Sequence, residues 1–105
     1  MRKLIVCLAA AGLVAAPSAF AATKTVKVGD NFFSPKKLTV TRNTTVRWRF
    51  VGESLHTVTV LKGPVKFNSK ALRTGSYSKK MTRKGTYRII CSIHPDVQKM
   101  TLVVR

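Results

Sequence analysis

The residues of this chain that are best suited to chemistry are two histidines and a cysteine. His56 and His94 are the two histidines of the 105-residue sequence, and Cys91 stands three positions before His94. A thiolate is a soft ligand that stabilises Cu(I), whereas imidazole accepts Cu(I) and Cu(II), so two imidazoles and one thiolate suit a copper ion that changes oxidation state. The three side chains are therefore candidate metal ligands, provided that the fold brings them together.

Each of these residues also has an ordinary alternative role. A single histidine near a strand is commonly a surface or hydrogen-bonded residue, a Cys-x-x-His pair can arise by chance, and a lone cysteine can be a buried apolar thiol. A Cys/His hydrolase would need an orienting residue and an oxyanion hole. The acids are Asp30, Glu53 and Asp96, and the sequence offers no convincing candidate among them. The joint pattern favours a metal site without catalysis.

The segments around the candidate ligands are predicted to be strands. Apolar and polar residues alternate repeatedly between positions 26 and 104, as is typical of half-buried strands, and no helical apolar period is found. Turn-forming stretches such as Gly29-Asp30-Asn31 and Lys84-Gly85 separate the segments. The apolar members of the alternating segments are Val26 and Val28; Leu38 and Val40; Val46, Trp48 and Phe50; Val58 and Val60; Val65 and Phe67; Tyr87 and Ile89; and Leu102 and Val104.

This pattern predicts an all-β fold, an antiparallel Greek-key β-sandwich of seven to eight strands. His56 begins one alternating run, Cys91 ends another, and His94 follows in the next loop. Because the loops of a sandwich gather at its two ends, one residue from a hairpin can meet two residues from a later loop without disturbing the core. The predicted fold is therefore compatible with a site built from all three residues.

The N-terminal segment is predicted to be an export signal. Basic residues precede a short apolar run from Leu4 to Ala16, and small residues lead to a predicted cleavage site after Ala21. The apolar run is too short to cross a bilayer comfortably. We expect residues 1–21 to be a cleaved signal peptide and residues 22–105 to be one exported domain, periplasmic or secreted.

The mature chain would keep a single cysteine, because Cys7 would be removed with the signal. Cys91 alone cannot form an intramolecular disulfide, and an unpaired thiol in an oxidising compartment is exposed to oxidation unless it has a function. Ligation of a metal would give Cys91 a function. It would also help to stabilise a small domain, whose core is thermodynamically marginal.

The charge of the chain is strongly positive. It contains 20 Lys and Arg residues against three Asp and Glu residues, and loss of Arg2 and Lys3 with the signal would leave a formal net charge of +15. A charge of this size favours fast, salt-sensitive encounter with an anionic partner, whether a protein, a membrane surface or a nucleic acid. Generic surface charge that keeps the protein soluble is the alternative explanation, and composition does not choose between the two.

Several segments carry a resemblance to a known family. The sequence resembles the plastocyanin-like cupredoxins in its first strands, in its third strand with the first histidine, and in the loop that holds the cysteine and the second histidine. This resemblance covers nearly the whole mature chain, and it implies a copper site built from His56, Cys91 and His94. The segments that carry it are VGDNFFSP (28–35), LTV (38–40), VRW (46–48), HTV (56–58), GTY (85–87) and CSIHP (91–95).

The resemblance leaves the axial ligand open. Many members of the family carry Met three residues after the second histidine, but that position here is Val97. In the family the axial residue lies four positions before the first inward residue of the last strand, which implies Gln98 if Leu102 is that residue. Stellacyanin-like members are similar in using Gln. Met100 is the rival ligand, although on a strand with Leu102 and Val104 it is expected to face the core.

Three neighbouring residues are candidates for supporting roles. Asn31 and Thr57 are placed to supply hydrogen bonds that hold a ligand, although Asn31 in a Gly-Asp-Asn turn is equally explained by its backbone preferences. Pro95 is expected to stiffen the loop after His94.

The resemblance implies a function. A small blue copper protein carries single electrons between redox partners by outer-sphere transfer, and it is not an enzyme. The expected partner is an acidic redox protein such as a cytochrome, an oxidase or a dehydrogenase; peripheral association with an anionic membrane surface is also considered, with no transmembrane segment in the mature chain. A periplasmic protein that binds and delivers copper is the alternative. Nucleic-acid binding, which a basic β domain also permits, is not expected after export.

Overall fold

The computed structural model describes residues 22–105, which form eight strands and no helix. The predicted all-β fold of seven to eight strands is confirmed. The strands are β1 (Thr23–Gly29), β2 (Phe32–Ser34), β3 (Lys37–Val40), β4 (Thr45–Phe50), β5 (Thr59–Lys62), β6 (Gly75–Lys80), β7 (Gly85–Ile90) and β8 (Lys99–Val104).

The strands form two four-stranded sheets that pack as a sandwich. Their strand orders are β2-β1-β4-β6 and β3-β8-β7-β5. Four pairings are antiparallel, as predicted, whereas β1 pairs with β4 and β3 pairs with β8 in parallel. Alternation along one strand shows which face is buried but carries no information about the direction of the neighbouring strand. The mixed character of the sheets is therefore a feature of the tertiary structure.

The core lies between the two sheets and is made by the alternating residues. Along β4, Val46, Trp48 and Phe50 are buried, while Arg47 and Arg49 between them are exposed. Burial of one large apolar side chain contributes about 1.5 to 3 kcal/mol relative to exposure. The packed core thus gives the strand ends, and the loops that leave them, a rigid base.

The strand predicted around Val65 and Phe67 is not formed, and β6 forms the edge of the first sheet. Val65 and Phe67 lie in the connection between β5 and β6, where they pack partly buried against the core, and Asn68 forms only an isolated bridge to Thr59. The edge of the first sheet is formed instead by β6, whose single apolar residue is Tyr77. An edge strand with one aromatic residue has almost no apolar alternation, which explains why the sequence pattern does not reveal it.

The predicted signal peptide, with Cys7, lies outside the described residues. The part of the chain that the structure describes contains no helix of the length and apolarity that a membrane span requires.

The three acidic residues lie in loops at strand ends, away from the faces of the sheets. Asp30 follows β1, Glu53 follows β4, and Asp96 precedes β8. Exposed basic residues instead occupy outward strand positions, such as Arg47 and Arg49 on β4. The positive charge of the domain is therefore carried by the outer faces of the sheets and by the loops.

Candidate metal centre

His56, Cys91 and His94 meet at one end of the sandwich. Their ligand atoms lie within 4.8 Å of one another. Cys91 Sγ is 3.8 Å from His56 Nδ1 and 3.9 Å from His94 Nδ1. The structure thus brings together all three residues that the sequence singles out, with the sulfur between the two imidazoles.

His56 is held in place through its backbone. Its N–H donates a hydrogen bond to the carbonyl of Leu72 at 3.0 Å, and the N–H of Leu72 donates to the carbonyl of His56 at 2.9 Å. This bridge ties the segment before β5 to the segment before β6. Because the His56 side chain is also completely buried, its ring has little freedom to leave the site.

Cys91 and His94 lie on the tight loop between β7 and β8. The N–H of Cys91 donates to the carbonyl of Gln98 at 3.0 Å, which closes the loop across its base. Within the loop, the N–H of His94 donates to the carbonyl of Cys91 at 3.1 Å, and the N–H of Gln98 donates to the carbonyl of His94 at 3.0 Å. Pro95 restricts the backbone directly after His94. These contacts fix the spacing between the sulfur and the second imidazole.

The surroundings of Cys91 favour its thiolate form. Burial raises the pKa of the thiol, but contacts with the Thr57 backbone, His56, His94 and the Ile93 backbone outweigh burial, and the pKa falls to about 6. The N–H of Thr57 is 3.4 Å from the sulfur. Because the thiolate is the form that binds metals, the site is prepared for a cation at neutral pH.

Asp30 orients His56, a role that the sequence analysis does not assign to it. His56 Nε2 donates a hydrogen bond to Asp30 Oδ1 at 2.8 Å, and the backbone N–H groups of Glu53 and Ser54 donate to the same carboxylate. With the proton on Nε2, the lone pair of His56 lies on Nδ1, the atom that faces Cys91. The available sequence signal is an acid in the turn after β1, in a chain that has only three acids.

The contact between Asp30 and His56 shifts both pKa values. The hydrogen bond with His56, followed by those from Ser54 and Glu53, lowers the pKa of Asp30 to about 2. Burial opposes protonation of His56, but its hydrogen bonds with Asp30 and Cys91 outweigh burial and raise its pKa. The Asp30 carboxylate is therefore ionised across the neutral range and keeps the proton of neutral His56 on Nε2.

Of the two residues expected to supply hydrogen bonds, Thr57 contacts the site and Asn31 shapes a turn. Thr57 Oγ1 accepts a hydrogen bond from the N–H of Ser92 at 2.9 Å and lies 3.0 Å from Ser92 Oγ. These bonds tie the segment of His56 to the loop of Cys91. Asn31 has a φ of 69°, a left-handed conformation that Asn tolerates better than most residues.

Contrary to the expectation from the sequence, an acid orients the histidine beside Cys91. The sequence offers no convincing acid to orient a Cys–His pair, yet Asp30 orients His56 beside Cys91. A hydrolytic nucleophile must also reach a substrate carbonyl, and the Cys91 side chain is completely buried. A second imidazole, that of His94, lies 3.9 Å from the same sulfur. Burial between two imidazoles fits a metal ligand and does not fit a nucleophile.

Gln98 and Met100 have different surroundings. The Gln98 side chain is completely buried, and its Nε2 donates to the carbonyls of Gly29 at 2.7 Å and Phe32 at 2.8 Å. Within the described residues, its Oε1 is the one buried side-chain oxygen or nitrogen without a hydrogen-bond partner. Met100 Sδ instead accepts a hydrogen bond from Trp48 Nε1 at 3.4 Å in the core. The Met100 sulfur is thus engaged, whereas Gln98 has a free acceptor.

These residues fit a copper ion. Two imidazoles and a thiolate form the plane of a blue-copper donor set, and a weak axial donor such as Met or Gln completes it. An unpaired acceptor is costly in a protein interior, and coordination to a cation would satisfy Gln98 Oε1. The donor set therefore contains three strong ligands and a buried oxygen with a free lone pair.

Comparison with known proteins agrees with this geometry. The family model of the cupredoxin-like domain matches residues 4–104. A Cu-containing nitrite reductase from Thermus scotoductus is 31% identical with a TM-score of 0.69; the match covers 79% of this chain but only 22% of the reductase. No curated protein gives a significant match.

Two smaller proteins match over most of their own length. A reduced amicyanin mutant is 24% identical with a TM-score of 0.70, and the match covers 82% of this chain and 90% of amicyanin. A purple cupredoxin from Nitrosopumilus maritimus is 23% identical with a TM-score of 0.70, covering 78% of this chain and 99% of that protein. At these identities the two structures establish the fold. With the family match over residues 4–104, the chain belongs to the cupredoxin-like family, and His56, Cys91 and His94 are positioned to bind one copper ion.

Proposed function

We propose that this chain is an exported type 1 copper protein that carries single electrons between redox partners and catalyses no reaction of its own. The observation that carries the proposal is the convergence of His56, Cys91 and His94 within 4.8 Å on a rigid β-framework. A bound copper ion would supply the one-electron couple between Cu(I) and Cu(II). The chain itself would supply a fixed ligand geometry, a dry environment and a docking face.

The fixed geometry is the contribution that matters most for electron transfer. The backbone bridge of His56 to Leu72 and the closed loop from Cys91 to Gln98 hold the ligands from two directions. Ligands that are already in place need little rearrangement when the charge of the site changes, so a transferred electron meets a small barrier. A rigid site therefore supports electron transfer better than a delivery role, in which the ligands must let the metal go.

The route for the electron is proposed to pass through His94. His94 is half-buried, whereas His56 and Cys91 are fully buried. Ile93, its neighbour on the loop, is 46% exposed, and Leu55 beside His56 is 40% exposed. Exposed apolar residues of this kind mark surfaces that contact other proteins. This end of the domain would allow close contact with a partner near the half-buried imidazole.

The first test is to add Cu(II) to the folded chain of residues 22–105 and to record visible absorption and electron paramagnetic resonance spectra. We expect an intense thiolate-to-copper absorption band, followed by reversible bleaching and recovery when the protein is reduced and reoxidised. Rapid loss of Cu(I) to a chelator, without a reversible redox cycle, would favour the delivery alternative. Absence of the band in folded, reduced protein would refute the electron-carrier proposal.

Gln98 is proposed as the axial ligand. This assignment is supported by the two carbonyls that hold its Nε2, because they leave Oε1 as the free end of the amide. Met100 is the weaker candidate, since Trp48 occupies its sulfur. An amide oxygen is a harder donor than a thioether and favours Cu(II), so Gln98 would hold the reduction potential below that of a site with axial Met.

Replacement of the proposed axial ligand provides the second prediction. We expect Gln98→Met to raise the reduction potential by about 60 mV or more, which for one electron is a tenfold change in the relative affinity for the two oxidation states. Cyclic voltammetry of the copper-loaded variants measures this shift. The matched variant Met100→Leu keeps the volume in the core and is expected to leave the potential nearly unchanged. A large shift in Met100→Leu with none in Gln98→Met would reverse the assignment.

Export is proposed from the sequence of residues 1–21. The basic start, the short apolar run and the small residues before Ala22 support a cleaved signal, and a periplasm is the proposed compartment. The mass of the protein recovered from the periplasmic fraction of expressing bacteria tests this. A mass that corresponds to a chain beginning at Ala22 is expected, and an uncleaved chain in the cytoplasm would contradict the proposal.

A further inference from the structure

A groove of about 710 Å³ lies on the sheet β3-β8-β7-β5 beside the ligand loop. It is separate from the half-buried edge of His94, because its floor is formed by strand residues and only one rim belongs to the loop. That rim is formed by residues 95–97, which stand between His94 and Gln98. The groove therefore touches the ligand loop from the side of the sandwich.

The groove is positively charged. Lys36, Arg88 and Lys99 line it, and Asp96 is its single acidic residue. Within residues 22–105, none of these three cations forms an ion pair with a carboxylate. The groove thus has the charge that attracts an anionic partner, and the cations are free to bind it.

The groove is also apolar in part. Leu61 and Val97 line it. They are 57% and 61% exposed, the highest values among the large hydrophobic residues of the described part of the chain. Ile90, a half-buried residue, lies between them on β7. Exposed apolar side chains flanked by charge are typical of a protein-binding surface.

We propose that this groove binds an acidic segment of a partner protein, with its carboxylates on Lys36, Arg88 and Lys99 and its apolar side chains on Leu61 and Val97. A concave site with apolar contacts fits inserted side chains. A flat anionic membrane would contact cations alone, and a nucleic acid has no aliphatic side chains to place on Leu61. That the partner is a redox protein rests on the proposed electron-carrier function.

The groove lies beside the strand that leads to Cys91, so a bound partner would be held close to the proposed electron-transfer site. Ile90 immediately precedes Cys91, and its register partner on β8 is Lys99. A segment bound in the groove lies beside the end of the strand that delivers Cys91 to the site. The groove would thus hold a partner against the sandwich while leaving the apolar surface around His94 free.

The test uses the folded, metal-free chain of residues 22–105 and a short synthetic peptide of Glu and Asp residues with interspersed Leu. Binding is followed by amide chemical shifts in nuclear magnetic resonance spectra at about 0.15 M salt, where charges on distant faces are screened beyond about 8 Å. We expect the shifts to concentrate at residues lining the groove. The double variant R88E/K99E is expected to bind the peptide about tenfold more weakly or worse.

Two matched controls separate this groove from general basic charge. The double variant K27E/R49E makes the same change of charge on the outer face of the other sheet, where Lys27 and Arg49 are register partners, and is expected to weaken binding by less than about threefold. A peptide with Ser in place of Leu, and the variant Leu61→Ser with the original peptide, are each expected to bind about threefold more weakly or worse. Equal losses in both charge-reversal variants would overturn the proposal in favour of non-specific polyanion binding. Equal affinity for the peptide with Leu and the peptide with Ser would also overturn the proposal.

The result is independent of the copper site because the peptide experiment needs no metal. Peptide binding with no blue-copper spectrum would keep the groove and remove the electron-carrier function. A blue-copper spectrum with no localised peptide binding would keep the electron-carrier function and remove the groove proposal. Equal binding of anionic phosphatidylglycerol vesicles by wild type and R88E/K99E, without localised peptide shifts, would assign the basic charge to a membrane surface and overturn the groove proposal.

Discussion

Cys91→Ser is expected to abolish the intense visible band of the copper-loaded protein and to lower its affinity for Cu(I) by at least about a hundredfold, or about 2.7 kcal/mol. The physical reason is the loss of the one soft ligand. A serine hydroxyl has nearly the same shape but remains protonated and binds Cu(I) poorly, while His56 and His94 stay in place. Absorption spectroscopy and Cu(I) competition against a chromogenic chelator measure the two effects.

Ser92→Ala is the matched control for this experiment. Ser92 follows Cys91 on the same loop and its hydroxyl lies 3.0 Å from Thr57 Oγ1, but it offers no atom to the proposed copper site. The control variant is expected to keep the visible band. If the band persisted in folded Cys91→Ser protein, the thiolate would not be a ligand and the proposed site would be wrong.

The second large effect is expected at a residue that does not touch the metal. Asp30→Ala should lower the affinity for copper by about ten- to a hundredfold, the usual cost of losing a partner that orients a metal-binding histidine. Without Asp30, His56 loses the acceptor that holds the proton on Nε2, so its Nδ1 is no longer reserved for the metal. Competition titration measures the affinity, and nitrogen-15 chemical shifts of the metal-free protein, recorded above the raised pKa of His56, report the His56 tautomer directly.

The control for Asp30 is its neighbour Glu53. Glu53→Ala removes the same charge from an adjacent loop, but its exposed side chain does not contact His56, and only its backbone N–H donates to Asp30. Its copper affinity is expected to stay within about threefold of wild type. Equal losses of copper affinity in the two variants would mean that Asp30 acts only through its negative charge and not by orienting His56. An unchanged tautomer in Asp30→Ala would contradict its role as a positioning residue.

The pH dependence of the Asp30 contact follows from its lowered pKa. The ordinary pKa of the carboxyl is 3.8, and the contacts of the folded chain lower it to about 2. A lowered carboxyl pKa means that the stabilising contribution is complete above the ordinary value and is lost as the pH falls through the folded-state value. The hydrogen bond between His56 and Asp30 is therefore expected to persist from neutral pH to about pH 4, where protonated His56 donates it to the carboxylate, and to be lost as the pH falls through about 2.

Two different surfaces of this small domain are proposed to contact a partner protein. The end around His94 is apolar and half-buried, whereas the groove of Lys36, Arg88 and Lys99 lies on the side of the sandwich. Long-range attraction by the basic faces would speed the encounter with an acidic partner. Short-range apolar contact at either surface would then fix the position of that partner.

Much of the architecture and the identity of the central residues could be predicted from the sequence. Alternation of apolar and polar residues predicts a β-sandwich because side chains of a strand point to opposite faces in turn. The scarcity of histidine and cysteine narrows the candidate ligands to His56, Cys91 and His94 before any coordinates are known. These are properties of residue type and local spacing, and a sequence contains them directly.

Other features depend on contacts between residues that are distant in the chain, and only the tertiary structure decides them. The parallel pairing of β1 with β4 and the place of β6 at a sheet edge leave little local pattern. The bond from His56 to Asp30 spans 26 residues, and the bonds that leave Gln98 Oε1 without a partner span 66 and 69. Residue types along the chain show which groups can act as ligands, whereas packing decides which of them meet, which proton each one carries and which lone pair stays free.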